Sequence, residues 1–298
     1  MPELPEVETI ARGLAARVAG DRIESVWLGS KPEPLKSRPS EIVATLESSR
    51  IQNVRRVGKH IVFDLEHGGR ASPPVRKRNG SPSARSRAKV KADRNVRPTP
   101  HAAQWIVHLG MTGRMLLCKP GDAIEKHTHA IARLASGREL RFADPRRFGR
   151  LSVASGFAAP GSEPLEVKLD RFVELFRGRK TPIKSALLNQ KLLSGVGNIY
   201  ADESLFRAGI RPRRRAASLT REDLRRLYLA VPEVLKEAIA LGGSSISDYV
   251  DSDGEEGFFQ LQHRVYGREG EPCLVCKTAI KRIVIAGRSS HYCPKCQK

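Results

Sequence analysis

The first residues of the chain, Met1-Pro2-Glu3-Leu4-Pro5-Glu6, carry its most distinctive chemistry. If Met1 is trimmed, Pro2 becomes a free secondary amine, and an α-amino group titrates at a pH of about 7.7–8.0, far below a lysine side chain. Such an amine is partly unprotonated at neutral pH and can attack an aldehyde-like carbon to give a positively charged Schiff base. Glu3, the next residue, is placed to donate or relay a proton.

The same residues also suit an ordinary helix start. Pro5 fits a first helical position, and Glu6 favours the positive end of a helix dipole. Apolar residues then recur at helical spacing from Val7 to Val18, just ahead of Gly20. Taken alone, this stretch favours a helix start over a catalytic terminus, so the choice depends on the rest of the chain.

Length and charge narrow the class of protein. The chain has 298 residues, enough for about two domains with real cores. Its 53 lysines and arginines exceed 32 acidic residues, giving a net charge of +21, which favours a polyanionic partner such as nucleic acid. A membrane surface is the competing polyanion, but the sequence shows no bilayer-spanning apolar run and no signal peptide. We therefore expect a soluble, cytoplasmic protein.

Short alternating segments in the first half predict β-strands. They are separated by Gly, Pro and Ser and lie at residues 23–28, 42–46, 51–57, 60–65, 104–109 and 139–142. Lys59 falls in the loop between two of these strands. By itself it is better interpreted as a solvated lysine than as a cation directed at a bound anion.

Residues 67–103 break this pattern. They contain ten lysines and arginines against one aspartate, and valine is their only large apolar residue. Such a stretch cannot bury enough surface to offset its ordering entropy. We predict a disordered basic insertion that either adds non-specific attraction to phosphates or has no role at all.

Two loops offer apolar side chains beside cations or glycines. In Asp144-Pro-Arg-Arg-Phe-Gly-Arg, Arg146 and Phe148 suit a loop that wedges into stacked bases, and Met111 follows a glycine in a similar setting. Core packing is the alternative for Phe148 and Met111. His127 and His129 are predicted to be a surface pair, because a metal site would need a third ligand.

A Gly/Ala/Pro/Ser-rich stretch at residues 155–164 predicts a linker, after which the pattern turns helical. We predict helices at residues 170–176, 184–193, 198–206 and 220–241, the last interrupted at Pro232. Asn198 is the predicted N-cap after the Gly195-Val196-Gly197 turn. Two helices joined by such a turn form a helix-turn-helix class unit, and glycines at a helix start let backbone N–H groups approach a phosphate.

The strongest metal signal lies at the C-terminus. Cys273 and Cys276, then Cys293 and Cys296, form two C-x-x-C pairs separated by sixteen residues. This spacing predicts one closed, four-thiolate structural Zn²⁺ site rather than disulfides. The residues between the pairs predict a hairpin with Arg288 near its tip, and the module should depend on zinc to fold.

Six stretches, taken in order, resemble one family. They are Met1-Pro-Glu-Leu-Pro-Glu-Val-Glu-Thr, His108-Leu-Gly-Met-Thr-Gly, Asp144-Pro-Arg-Arg-Phe-Gly, Gly195-Val-Gly-Asn-Ile-Tyr-Ala-Asp-Glu, Val265-Tyr-Gly-Arg-Glu-Gly and the cysteine frame. The chain resembles bacterial formamidopyrimidine-DNA glycosylases over its whole length, except for the insertion, which the family usually lacks.

The resemblance implies an α+β multidomain fold. We expect an N-terminal β-sandwich with flanking helices at 1–154, with the insertion at 67–103, then a linker at 155–169. A helix–two-turn–helix domain at 170–262 and a β-hairpin zinc finger at 263–298 would follow. Damaged duplex DNA would bind in the cleft between them, to a monomer holding one structural zinc ion.

The resemblance also implies roles for individual residues. Pro2 would form the Schiff base at C1′ of the damaged nucleoside, and Glu3 would supply the proton that opens the sugar. Lys59 would transfer protons in β-elimination and contact phosphate, and Arg288 would grip phosphate and serve δ-elimination. Met111, Arg146 and Phe148 would fill the gap left by the flipped nucleotide. The remaining DNA-contact positions would be His127, Arg179, Lys184, Asn198 and Tyr266.

Two alternatives stay open. One is the sister activity, an endonuclease VIII-like enzyme for oxidised pyrimidines. Leu4 and the gap-filling residues resemble the purine-directed branch instead, which acts on 8-oxoguanine and formamidopyrimidines. The other is a non-catalytic DNA-binding zinc protein, against which the intact Pro2, Glu3 and Lys59 argue.

The insertion gives a first prediction. Its net charge is +9, and each phosphate contact steepens the log–log salt dependence of duplex binding by about 0.9. Deleting residues 70–100 should flatten that slope and weaken low-salt binding to undamaged DNA, while single-turnover excision hardly changes. Equal salt-dependence slopes for the deletion variant and the parent would show that the insertion has no role in DNA binding. A collapse of the excision rate would show that the insertion is structured and lies near the active site.

Overall fold

The computed structural model describes residues 1–67, 102–245 and 249–298. Within these ranges the helices are α1 (Leu4–Val18), α2 (Pro39–Leu46), α3 (Leu169–Phe176), α4 (Ile183–Leu187), α5 (Asn198–Arg207) and α6 (Arg221–Ala240). The strands are β1 (Ile23–Leu28), β2 (Ser49–Val57), β3 (His60–His67), β4 (Ala102–His108), β5 (Arg114–Cys118), β6 (Thr128–Leu134), β7 (Glu139–Ala143), β8 (Arg150–Ala154), β9 (Lys281–Ile285) and β10 (Arg288–Tyr292). Short 3-10 helices lie at Ala216–Ser218 and Phe259–Gln262.

The N-terminal half is built from two antiparallel four-stranded sheets. One has the order β2-β3-β4-β8, and the other has the order β1-β6-β7-β5. Their buried faces share one apolar core, which also receives the inner faces of α1 and α2. Within it, Phe63 and Trp105 stack with ring centroids 4.8 Å apart. The predicted α+β fold with an N-terminal sandwich is confirmed.

One predicted strand is wrong. Residues 42–46 belong to α2 and not to a strand. Pro39 begins this helix, where the missing backbone N–H of proline costs no hydrogen bond. Ile42 and Leu46, four residues apart, are its buried positions, and this spacing matches a helix face as well as the ends of a short strand.

The insertion predicted at 67–103 begins and ends inside strands. β3 extends to His67, whose Nδ1 lies 3.0 Å from Ser49 Oγ, and β4 begins at Ala102, opposite Glu66. Residues 68–101 lie outside the described residues. The ends of the segment are therefore held next to each other by the β3–β4 pairing.

A second core joins α3 to α6 with Leu4 of α1. α6 begins at Thr220 as N-cap in a capping box with Asp223, and it continues through Pro232, where an interruption was predicted. Proline removes a helical hydrogen bond, but the nearby Val231 and Val234 are buried in this core. Burial of the residues around Pro232 thus outweighs the helix-breaking effect of this proline.

The predicted helix at 184–193 is also too long. α4 ends at Leu187, and the chain then turns around the Gln190 side chain. The Gln190 amide donates to the carbonyls of Leu188 and Val196 and accepts from the Gly195 N–H at 2.8–3.0 Å. This side chain replaces helical bonds and shapes the turn that leads to α5.

The C-terminal hairpin β9–β10 has only a small apolar cluster of its own. Its fully buried members are Val265, Cys273, Ile280 and Cys293. Two of these four are cysteines of the predicted metal frame, so the module lacks the core that a metal-free fold of this size requires. No helix within the described residues is long and apolar enough to cross a membrane.

Candidate active site

A cavity of about 450 Å³ opens where three parts of the chain meet. They are the N-terminal sandwich, the helices α3–α6 (the helical segment), and the hairpin β9–β10 with its flanking cysteines (the zinc hairpin). The walls of the cavity come from the N-terminus, the β2–β3 turn, the start of α5 and the start of β10. Seven of the sequence-predicted site residues line it: Pro2, Glu3, Lys59, Met111, Asn198, Tyr266 and Arg288. Residues almost 290 positions apart in the sequence therefore face one space.

Glu3 links the N-terminus to α5. Its Oε1 accepts from the Ile199 N–H at 3.1 Å, and its Oε2 accepts from the Tyr200 N–H at 3.5 Å. The carboxyl thus occupies the positive end of α5. Burial raises the pKa of Glu3, although nearby Lys59 acts in the opposite direction. A carboxyl group that keeps its proton to higher pH is suited to act as an acid.

The turn before α5 is shaped to receive Glu3. A Cβ added at Gly197 would lie 2.2 Å from Glu3 Cδ, so only glycine fits at this position. Gly197 also occupies the N-cap position, one residue before the predicted Asn198. The side chain that caps the helix comes from the other end of the chain, which no local pattern indicates.

Glu6 holds the backbone of this region. It is buried, its Oε2 accepts from the Glu3 N–H at 2.8 Å, and its Oε1 accepts from the Ser244 N–H at 2.8 Å and from the Tyr200 hydroxyl. Burial raises the pKa of Tyr200 well above its ordinary value, and the Glu6 charge adds to the effect. The phenol therefore remains a donor to Glu6.

Lys59 is buried in the cavity wall rather than solvated. It follows Gly58, whose φ of +60° makes the tight β2–β3 turn, and it is 7% exposed. Burial lowers the pKa of Lys59, while Glu3 and Glu6 act in the opposite direction. Among the described residues, no carboxylate lies within salt-bridge distance of Lys59. An amine with a lowered pKa can accept a proton nearer neutral pH.

The opposite wall is held by α5. Asn198 Nδ2 donates to the Tyr266 hydroxyl at 3.4 Å and to Ser289 Oγ at 3.3 Å. Glu203, one turn further on, accepts from the backbone N–H groups of residues 264–266 at 2.8–3.0 Å. These bonds place Tyr266 at the cavity and leave the exposed Arg288, at the start of β10, beside it.

Lys184 requires a correction, because the structure does not place it on a DNA-facing surface. Its side chain is fully buried, with Nζ 2.7 Å from Asp202 Oδ1 and donating to the Ser289 carbonyl at 2.5 Å. Asp202 also accepts from the His291 N–H at 2.9 Å. Lys184 therefore joins α4 and α5 to β10 inside the protein.

The two predicted wedge loops are tied together by the buried carboxylate of Asp144. Its Oδ1 accepts from Thr112 Oγ1 at 2.5 Å, and its Oδ2 accepts from the Gly149 N–H at 2.7 Å. Met111 and Phe148 are 41% and 53% exposed, so the core-packing alternative is wrong for both.

The cations and histidines around these loops differ in exposure. The Arg146 guanidinium carbon lies 4.9 Å from the centre of the Phe148 ring, within cation–π distance. His127 is exposed, whereas His129 is buried with Nε2 2.9 Å from the Asp144 carbonyl oxygen, so the predicted surface pair is wrong. Arg179 is exposed, and its Nε donates to the Leu175 carbonyl.

Several cavity residues were not predicted as site residues, among them His108, Gln190, Ser244 and Tyr249. His108 opens one of the motifs quoted above, and this position was the available signal. Its Nδ1 accepts from the Gly110 N–H at 3.1 Å, and burial lowers the pKa of His108 to about 4, so the ring is neutral at neutral pH. The other three carry no sequence pattern that marks them.

The four cysteines form one metal-binding cluster. The sulfurs of Cys273 and Cys296 are 3.9 Å apart and those of Cys276 and Cys293 are 3.4 Å apart, with all four within 4.8 Å of one another. A tetrahedral ion with Zn–S bonds of about 2.3 Å needs sulfurs about 3.8 Å apart. The cluster therefore fits one structural Zn²⁺, which the residues would hold with no open coordination position.

Comparison with known proteins covers nearly the whole chain. Residues 1–151 match the formamidopyrimidine-DNA glycosylase N-terminal domain, residues 159–250 match the formamidopyrimidine-DNA glycosylase H2TH domain, and residues 270–298 match a zinc finger found in FPG and IleRS. A formamidopyrimidine-DNA glycosylase from Solibacter usitatus is 44% identical, with 100% of both chains covered. Another, from Gluconobacter oxydans, is 39% identical at the same coverage.

Solved structures agree with these matches. The MutM (Fpg) protein of Thermus thermophilus is 40% identical, with a TM-score of 0.79 over 99% of this chain and 98% of that one. A mutant Fpg of Lactococcus lactis in complex with Fapy-dG containing DNA is 31% identical, with a TM-score of 0.82 over 100% of both chains.

The fit between Gly197 and Glu3 yields a prediction. Gly197→Ala should push the Glu3 carboxyl off the start of α5 and lower single-turnover base excision by about a hundredfold, because small misplacements of reacting groups are costly. Gly156→Ala is the matched control, since a Cβ there meets nothing within 4 Å. Equal excision rates for the two variants would contradict this role of the glycine.

The metal cluster yields another prediction. Cys276→Ser, or zinc chelation, should disorder the hairpin and displace Arg288. The affinity for damaged duplex should then fall by about tenfold or more, which corresponds to a loss of about 1.4 kcal/mol of binding free energy. The sandwich should stay folded by circular dichroism. Cys118→Ser, outside the cluster, is the control. Full affinity in metal-free protein would refute the claim.

Proposed function

The chain belongs to the formamidopyrimidine-DNA glycosylase family, and on that premise we infer that it is a base excision repair enzyme, a DNA glycosylase with AP lyase activity. Relatives of 35–44% identity over their full lengths carry that name. Similar structures hold Fapy-dG containing DNA and abasic site containing DNA. The observation that carries the inference is the single cavity in which Pro2, Glu3, Lys59 and Arg288 meet.

We propose that Pro2 is the nucleophile once Met1 has been removed. Its nitrogen lone pair would attack C1′ of the damaged nucleoside and displace the base. Glu3, whose pKa burial raises, would supply the proton that opens the sugar ring, and the nitrogen–carbon double bond that forms would keep a positive charge.

The AP lyase steps would follow from the positive charge of the iminium formed with Pro2. The iminium acidifies the C2′ proton, which Lys59 would accept as the bond to the 3′ phosphate breaks in β-elimination. The lowered pKa of Lys59 supports this role, since the unprotonated amine is the base. Arg288 would grip the phosphate that leaves in the following δ-elimination, as a fixed cation at the cavity edge.

Chemistry at C1′ requires the damaged nucleotide to leave the stack. We propose that Met111, Arg146 and Phe148 fill the gap, with Arg146 facing the orphaned base. Their support is exposure on two loops that Asp144 ties together. His127, Arg179, Asn198 and Tyr266 are the proposed further contacts; Lys184 is left out because it is buried.

We propose oxidised purines as the substrate class. A similar Lactococcus lactis structure holds Fapy-dG containing DNA, and Leu4 and the gap-filling residues favour this branch. Oxidised pyrimidines are a second candidate, because another structure of that protein holds an oxidised pyrimidine containing DNA. Excision from duplexes with 8-oxoguanine or thymine glycol separates the two.

We further propose that the enzyme is a cytoplasmic monomer. This proposal rests on the family resemblance. The domain boundaries 1–154, 155–169, 170–262 and 263–298 are likewise proposed. Apart from Leu4 and Tyr249, the buried residues of the two large cores and of the cysteine cluster divide in the same way.

Borohydride trapping tests the mechanism. Borohydride reduces an iminium to a stable amine, so the protein should become covalently joined to 8-oxoguanine duplex DNA through its N-terminal peptide. Pro2→Gly should lower the trapped yield strongly. Glu3→Gln should lose base excision but keep some cleavage at abasic sites, because the amine survives and only the acid is lost.

Mass spectrometry of the trapped peptide locates the bond and shows whether Met1 is absent. An adduct on an internal lysine would overturn the assignment of Pro2. A protein that binds damaged DNA but traps no substrate would instead favour the non-catalytic alternative.

A further inference from the structure

The side chain of Arg56 lies at the junction of three parts of the molecule. It extends from the end of β2, and its Nε donates to Glu8 Oε2 on α1 at 2.7 Å. Its Nη1 and Nη2 donate to the two carboxylate oxygens of Glu163 at 2.9 Å each, and only 6% of the side chain is exposed. A guanidinium that meets a carboxylate through two parallel bonds fixes orientation as well as charge.

Glu163 belongs to residues 157–163, the strap, which connects the sandwich to the helical segment. The strap is bonded to the chain that precedes α5. The Ser162 N–H donates to the Leu192 carbonyl at 3.0 Å, the Ser194 N–H donates to the Ser162 carbonyl at 2.9 Å, and the Gly161 N–H donates to Ser194 Oγ at 3.0 Å. The strap therefore fixes the segment that leads into the Glu3-binding turn.

The strap also contacts the turn that carries Lys59. Arg56 Nη1 donates to the Gly58 carbonyl at 3.2 Å, directly beside Lys59. The ring of Phe157, in the strap, meets the ring of His60 edge-on at 4.7 Å. Gly58, before Lys59, is thus held by Arg56, and His60, after Lys59, is held by Phe157 of the strap.

We propose that Arg56 and Glu163 form a positioning clamp for the reaction: by locking the strap between the Lys59 turn and the start of α5, the clamp sets Lys59 against the Pro2–Glu3 end of the cavity. The inference rests on the proposed function. Neither clamp residue lines the cavity, so both act through the residues they hold.

The clamp is better suited to positioning than to stability. A buried ion pair gains little net free energy, because desolvation offsets most of the attraction, and apolar replacement of both partners is often neutral. Its bonds nevertheless select one arrangement of the three segments. Changing Arg56 to lysine keeps the charge but loses the fork, so the strap and the turn can move apart.

The test compares Arg56→Lys with Arg55→Lys in the full-length zinc-loaded protein. Arg55 is the adjacent residue and also forms two bonds to a carboxylate, with Asp64 at 2.7 and 3.1 Å, but it does not touch the strap. The probes are an 8-oxoguanine duplex and an abasic-site duplex under single-turnover conditions, with affinity measured on undamaged duplex.

Arg56→Lys should slow abasic-site cleavage by about tenfold or more, because reacting groups that are misplaced by about 1 Å lose that much or more. Duplex affinity should stay within about twofold of the control. The pH profile should also move. Hydration of the loosened turn lets the pKa of Lys59 rise toward its ordinary value, so the rise in cleavage rate with pH should occur at higher pH than in Arg55→Lys.

A second variant guards against simple misfolding. Arg56→Met combined with Glu163→Met removes both charges of the clamp, and Glu8 keeps its ion pair with Arg12 at 2.6 Å. The double variant should therefore keep the Tm near that of the parent, yet show the same slower cleavage and shifted pH profile. Rates and profiles equal to those of Arg55→Lys would overturn the clamp. A rate loss that only follows the unfolded fraction, with an unmoved profile, would overturn it too. Absence of trapping in the unaltered protein would instead overturn the proposed function itself.

Discussion

The bond between the Glu3 carboxyl and the first turn of α5 is the constraint on which the cavity depends. It joins the N-terminal residues, which lie on the sandwich side of the cavity, to α5, which belongs to the helical segment. Unpaired N–H groups at a helix start need acceptors, and here the acceptor is a side chain almost 200 residues away in sequence. The contact requires Gly197, because any Cβ would occupy the position of the carboxyl. One interaction thus caps the helix and places the acid.

α5 then organises the remaining walls from its own polar residues. Asp202 and Glu203 are buried, and they accept bonds from β10 and from the segment that carries Tyr266. Buried polar groups are costly unless paired, so these partners specify a single arrangement of the zinc hairpin against the helix. A bound zinc ion would keep the hairpin folded, and the polar residues of α5 fix its orientation. Arg288 consequently reaches the cavity from a module with almost no apolar core.

Burial acts on Glu3 and Lys59, two titrating groups of the cavity, in opposite senses. It raises the pKa of Glu3 and lowers that of Lys59, because both changes favour the neutral form. An acid that keeps its proton and an amine that can lose its own form the pair that the proposed ring opening and elimination require. Burial therefore prepares both groups, and the charge of each partly opposes the pKa shift of the other.

Much of the organisation of this protein was predictable before its structure was known. The cysteine spacing is a local signal and indicated the zinc site, and the strand alternation indicated strands. The sandwich and the role of Pro2 as nucleophile were predicted from the resemblance of six motifs to one family, because the terminal residues taken alone favour a helix start. Three features depend on tertiary contacts that no local pattern contains: the helix at Ile42, the burial of Lys184, and the contacts of the strap. Residues 42–46 fit a strand or a helix equally by spacing, and no pattern near Lys184 indicates its pairing with the buried Asp202. Burial and pairing depend on distant segments, whereas periodicity reports only on neighbours along the chain.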